Sequence, residues 1–286
     1  MQQDLNLYLS PHYDDAILSC GGLIHAQRRT GRRVDVLTLC ADLPDPVPKS
    51  TLACQYLAQW SKSGDGMAKR RAENAAVLSG WGVQNRECDT PDAIFRTVGG
   101  TPYYQTREDL FRNPNNEDAV FLLTVWEEWL KQLAGEEKSI RLYAPLGIGG
   151  HVDHVLAGRL GQRMGQSGWT VWFYEDYPYV ELESNGVKAA QARFGSCKWV
   201  SQTIAINVQA KINALRAYHT QIGPVFGCDA DLDRRVKSFT AETACAISYG
   251  ERLRAVLAPS GRRLRLWRFL GGYHAHAERI WAWSSM

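Results

Sequence analysis

Short apolar runs and segments of helical periodicity take turns along this chain. Residues 5–10 (LNLYLS) read as a buried strand, 16–31 (AILSCGGLIHAQRRTG) as a helix closed by Gly31, and 33–41 (RVDVLTLCA) as a second strand. A helix crossing between two hydrophobic strands is the pattern of a parallel sheet. The 42–66 stretch holds three prolines and two glycines and reads as a long, partly helical excursion. A second helix is predicted over 67–82, with apolar positions at 72, 75, 76 and 78. After a polar stretch rich in turn signals (83–117) come an amphipathic helix (117–135), a strand (140–147), a helix (151–168) and a strand (169–180). Residues 201–223 hold a short strand and a helix. There is no internal repeat and no low-complexity linker, so the expectation is one domain over 1–286, with a core of about 5–223 and a C-terminal elaboration over 224–286.

Composition narrows the function classes. The chain is 45% hydrophobic and 22% charged, enough apolar material for a sizeable core. Its net charge of +3 gives no argument for nucleic acid. No run of 18 apolar residues exists, and the first ten residues lack a basic segment and lead straight into a strand, which argues against a membrane span and a secretory signal. Seven scattered cysteines without a CxxC pair fit a thiol-bearing cytoplasmic protein better than a disulfide scaffold. Beyond Gly250 seven arginines face two glutamates, interleaved with tryptophan and leucine. That tail is expected to pack its aromatics on the domain, with peripheral membrane contact as its alternative role.

The candidate chemistry lies at two strand ends. In SPHYDD, His12 and Asp15 are three apart where a strand passes into a helix, so both can serve one ion while Asp14 projects differently. This suggests Asp15 on a metal and Asp14 on a water. The stretch PLGIGGHVDH repeats the grammar: a strand end, a glycine-rich turn, then His151 and His154 at the opening of a helix. In a parallel α/β sheet both loops lie at the carboxyl edge of the strands and can face each other across one crevice. Their pooled histidines and aspartates suit Zn²⁺, with Fe²⁺ as the alternative ion. Asp153 is a candidate to hydrogen-bond a liganding histidine from behind.

PHYDDA and HVDH resemble the two signature motifs, PHPDDE and HPDH, of the PIG-L/LmbE-like deacetylases, zinc-dependent hydrolases that remove acetyl groups from N-acetylglucosaminyl compounds. KRRAENAAVLSGWGV and KINALRAYHTQIG resemble two further helices of that family, so the likeness runs from about residue 5 to 223. It implies an α/β, Rossmann-like three-layer sandwich with a mostly parallel central sheet and the active site at the carboxyl ends of the strands. It implies His12, Asp15 and His154 as metal ligands and Asp14 as general base. His151 would steady the oxyanion or protonate the leaving amine. Tyr13 and Ala16 stand where the family has proline and glutamate.

The chemistry is coherent by itself, because a bound cation activates both water and an amide carbonyl. The reading is de-N-acetylation of an amino-sugar conjugate or glycolipid. The alternatives are an amidase of a thiol or glycan conjugate on the same centre, and a non-catalytic sugar- or nucleotide-binding module, which the lack of GxGxxG after the first strand weakens. Candidates for substrate contact are Tyr13, Arg70, Arg71, Glu175 with Asp176, and an aromatic wall of Trp60, Tyr177 and Tyr179. His25 and His219 are expected to be ordinary packing or surface residues.

Overall fold

The first strand is apolar at every second position, and the computed structural model shows why. β1 (Leu5–Ser10) is buried throughout, with Leu5, Leu7 and Leu9 in one apolar layer and Tyr8 in the other. The structure describes residues 4–137, 139–245 and 276–285. From β1 the chain passes through α1 (Asp15–Arg29), β2 (Arg33–Thr38), α2 (Thr51–Trp60), α3 (Gly66–Gly80) and β3 (Gln84–Glu87). A small hairpin of β4 (Thr97–Val98) and β5 (Thr101–Pro102) precedes α4 (Asn116–Glu136), β6 (Ile140–Pro145), α5 (Val152–Gln166) and β7 (Thr170–Tyr174). Then come α6 (Tyr179–Leu182), α7 (Gly186–Ala192), β8 (Cys197–Ala205), α8 (Val208–Leu215), α9 (His219–Phe226), α10 (Asp229–Cys245) and β9 (Ala277–Ser285).

Among the described residues the central sheet has seven strands in the order β3-β2-β1-β6-β7-β9-β8. Five of them are parallel; β9 runs antiparallel to both β7 and β8. Helices cover both faces, which gives the three layers expected. On one side α4 and α5 pack through Leu122, Trp126, Leu130, Leu156 and Leu160; on the other, α1, α3, α8 and α10 pack through Ile17, Ile24, Leu78, Ile212 and Val236. The apolar positions of α4 (119, 122, 123, 126, 130, 133) form one stripe. Asn115 caps that helix by accepting from the Glu117 and Asp118 N–H groups. A third apolar cluster joins α2 and the 93–110 region to Tyr13 and Val152, so the excursion after β2 roofs the carboxyl edge of the sheet.

Three elements differ from the sequence expectation. β3 (QNRE) lies within the polar stretch; as an edge strand it has little apolar surface to declare itself. The strand expected over 169–180 stops at Tyr174; residues 175–178 form a loop and α6 begins at Tyr179. The tail does more than pack aromatics, because β9 inserts between β7 and β8 with Trp281 and Trp283 against the core. The rest of the basic, aromatic tail considered for membrane contact lies outside the described residues. No helix among those described is long and apolar enough to cross a membrane.

Candidate metal centre and active-site cleft

β1 and β6 are parallel neighbours, yet the chain leaves β1 toward β2 and β3 and leaves β6 toward β7. Strand order reverses between them, and the loops that follow diverge to opposite faces and open a crevice. The 11–14 and 146–151 loops flank that crevice. The second needs its glycines: Gly147 and Gly149 have φ of 76° and 85°, and a side chain at Gly149 would run into the Tyr179 ring.

Asp15 Oδ2 lies 3.0 Å from His12 Nδ1 and 3.3 Å from His154 Nε2. The far nitrogen of each ring is tied to a second carboxylate: His12 Nε2 to Asp153 Oδ2 at 3.1 Å, His154 Nδ1 to Asp176 Oδ1 at 2.8 Å. Asp176 is anchored in turn by the Ile148 N–H. Imidazoles that present one nitrogen to a common point and give the other to a carboxylate have the arrangement of metal-binding histidines. Two groups of three can each bring ligand atoms within 4.8 Å of one another: His12, Asp15 and His154, and His12, His151 and Asp153. Two imidazole nitrogens and one carboxylate oxygen are a donor set that suits Zn²⁺ with a position open for water.

The charges agree with a site built for a cation. Burial opposes a charged His154, but Asp15 and Asp176 outweigh it and raise its pKa to about 10. Burial likewise opposes a charged His12, and Asp92, Asp15 and Asp153 push it well above its ordinary value. Protons sit where a divalent ion competes for the same lone pairs. His151 is the contrast: burial, with His12 and His154 nearby, lowers it to about 3. It caps α5, its Nδ1 accepting from the Asp153 N–H at 3.3 Å.

A cleft of about 480 Å³ opens over these groups. Asp14, Asp15, His12, His151, His154, Arg70, Trp60 and Tyr179 all line it. Arg70 is buried, lies over the Trp60 ring and donates from Nη2 to Asp14 Oδ1 at 2.8 Å. The other substrate candidates stand elsewhere. Tyr13 is buried under the loop, donating to the Ala41 carbonyl and accepting from Arg71, which pairs with Glu87. Glu175 faces the β9 side, accepting from the Trp281 indole at 2.9 Å and pairing with Arg279. Tyr177 packs its ring among Phe226, Phe239 and Lys211. Asp176, read as a sugar contact, is the carboxylate behind His154. Sequence reasoning missed Asp92, 3.4 Å from His12 Nε2, and the wall residues Tyr56, Phe111 and Gln221. None of these carries a spacing signal; only the fold brings them to the cleft.

No family model matches the chain. Two curated relatives do, both named 2'-N-acetylparomamine deacetylase. That of Niallia circulans is 29% identical over 245 residues, covering 81% of this chain and 86% of the relative. That of Streptomyces fradiae is 27% identical over 229 residues, covering 77% and 75%. Among solved structures, the zinc-inhibited form of a teicoplanin deacetylase superimposes with a TM-score of 0.73 at 20% identity, over 98% of this chain and 99% of that one. The deacetylase of the A40926 pseudoaglycone gives 0.69 at 19% identity, over 99% and 98%. With both signature motifs brought to one edge of that shared fold, the chain is similar in sequence to de-N-acetylases and has the fold of solved deacetylases.

Proposed function

We propose that this protein removes the acetyl group from an N-acetylated amino sugar or its conjugate, using a divalent metal, Zn²⁺ by its donor set, held by His12, Asp15 and His154. The observation that supports this most is the convergence of those three side chains on the floor of a cleft that Asp14 also lines. The rest of the wall suits a small polar ring: Gln55, Gln59, Arg107 and Gln221 offer hydrogen bonds, and Tyr56, Trp60 and Tyr179 offer flat apolar faces. The relatives' named substrate is an acetylated amino sugar, the same class.

When bound, the cation supplies two things, a water of pKa about 7 and a polarised acyl carbonyl. Everything else falls to the chain. Arg70 fixes Asp14 by one oxygen, so the other is placed to take the proton of the attacking water. Because His151 Nδ1 accepts from the backbone, the ring is neutral with its proton on Nε2, and that N–H donates to the developing oxyanion. A neutral imidazole has no second proton for the leaving amine. Asp14 therefore returns to nitrogen the proton it took from water, and acetate and the free amine depart.

The test is Asp14→Asn, with bound metal and amine release from N-acetylated amino sugars measured side by side. Asparagine keeps an oxygen for Arg70 but cannot take the proton. The expected result is about one metal per chain in both proteins and turnover reduced by about 10²–10⁴. Loss of metal in the variant would move Asp14 to the ligand set. Wild-type protein that takes up metal yet releases amine from no such sugar would overturn the substrate class.

A further inference from the structure

The two candidate ligand groups share His12, whose Nδ1 faces Asp15 and whose Nε2 faces Asp153, and something must decide between them. Behind the ring, Asp153 is completely buried and held on three sides. Its Oδ1 accepts from Arg96 Nη2 at 2.6 Å, and its Oδ2 accepts from the Ala93 N–H at 3.2 Å and faces His12 Nε2 at 3.1 Å. Arg96 is buried too. Its Nε pairs with Asp118 at 2.9 Å, its Nη1 donates to the Pro91 carbonyl at 3.0 Å, and Tyr104 donates to Asp118 at 2.7 Å. The result is a continuous polar chain, Tyr104–Asp118–Arg96–Asp153–His12, running from the base of α4 and the β4–β5 hairpin to the candidate centre. No reaction step proposed above uses Arg96.

We infer that Arg96 is a positioning residue that reserves Asp153 for His12 and steers the cation to the Asp15 side. A carboxylate committed to a guanidinium can only accept from His12 Nε2, so that nitrogen carries the ring proton and Nδ1 is left to bind metal beside Asp15. A cation on the other side, among His151, Asp153 and His12 Nε2, would stand against the Arg96 charge inside the protein, where Coulomb repulsion is little screened. Among the described residues no arginine pairs with Asp15, whose ion-pair partners are His12 and His154. The inference rests on the metal centre proposed above.

Co²⁺ is the probe, because its visible spectrum reports the ligand set. Affinity and spectrum are measured for wild type, Arg96→Met and Arg96→Lys, each first shown to be folded without metal by its circular dichroism and melting temperature. Arg96→Met is expected to bind Co²⁺ at least about tenfold more weakly, with an altered spectrum, and Arg96→Lys, which returns the charge, to recover the wild-type spectrum. If Arg96→Met does not fold, Asp118→Asn unties the far end of Arg96 and is read the same way, with a smaller loss expected. A folded Arg96→Met, or in its place Asp118→Asn, with wild-type affinity and spectrum overturns the role of Arg96 alone. So does an Arg96→Lys as altered as Arg96→Met, which would make shape and not charge the cause. Wild-type protein that takes up no Co²⁺ overturns the metal centre itself.

Discussion

The His151 ring caps a helix and carries a second, proposed job, and the two can be separated. Its Nδ1 caps α5, and its Nε2–H is the group proposed to face the oxyanion. Asparagine is as good a cap as a short side chain can be, but it cannot reach where Nε2 stands. His151→Asn is therefore expected to leave the melting temperature near wild type while lowering kcat about 10²–10³-fold; an equal fall in both would make the residue a cap and nothing more. The same scale shows how far a single sequence reaches. His12 with Asp15, and His151 with His154, were legible because side chains one helical turn apart can face one site and strand ends announce where the turns are. Asp92 and Asp176 were not legible as partners of those histidines, nor Arg96 as the partner of Asp153, since each meets its partner from another loop with no constraint on spacing. Arg96 and Asp153, for instance, are 57 residues apart. Tyr13, Arg71, Glu175 and Tyr177 show the converse: chemistry-bearing residues near a motif in sequence, turned by the local backbone into packing and ion pairs outside the cleft.

Elements were easier to read than their edges. Strand β1 and helices α1, α3, α4 and α5 follow from apolar period alone, whereas β3 was silent because an edge strand buries little. Glycines inside helices are the other place where sequence is ambiguous, since a helical glycine costs about 1 kcal/mol against alanine whether or not it has a purpose. The structure separates the cases. A Cβ at Gly161 of α5 would stand 2.6 Å from the Ala144 Cβ on β6, whereas one at Gly135 of α4 would meet nothing within 4 Å. Gly161→Ala is expected to destabilise by about 1–3 kcal/mol through overpacking. Gly135→Ala is expected to stabilise by about 0.4–1 kcal/mol through the unfolded chain. Urea unfolding of the two variants checks both signs. In α1, Gly22 leaves room for Ile206, against which a Cβ at that position would stand 2.6 Å away.

On the scale of the whole molecule, the ends of the chain are bolted together beneath the candidate centre. Glu278 of β9 accepts from the Gly22 and Leu23 N–H groups in the middle of α1, the helix that opens with Asp15, and pairs at 2.6 Å with Lys211 of α8, both side chains being buried. Glu278→Gln strands the Lys211 charge in the interior and is expected to cost about 3–5 kcal/mol in denaturant unfolding, with Lys211→Met in the same chain recovering part of the loss. An unchanged midpoint would mean that the pair is not formed in solution. This bolt joins residues 256 apart, and no local pattern could have declared it. Local spacing was enough to specify the alternation of strands and helices, the parallel sheet and the two histidine–aspartate clusters, because period, capping and turn chemistry act over a few residues. The strand order that reverses between β1 and β6, the antiparallel strand supplied by the tail and the arginine behind Asp153 were decided only when distant segments packed. Each depends on which buried surface and which buried charge finds its match, and that is a property of the folded chain.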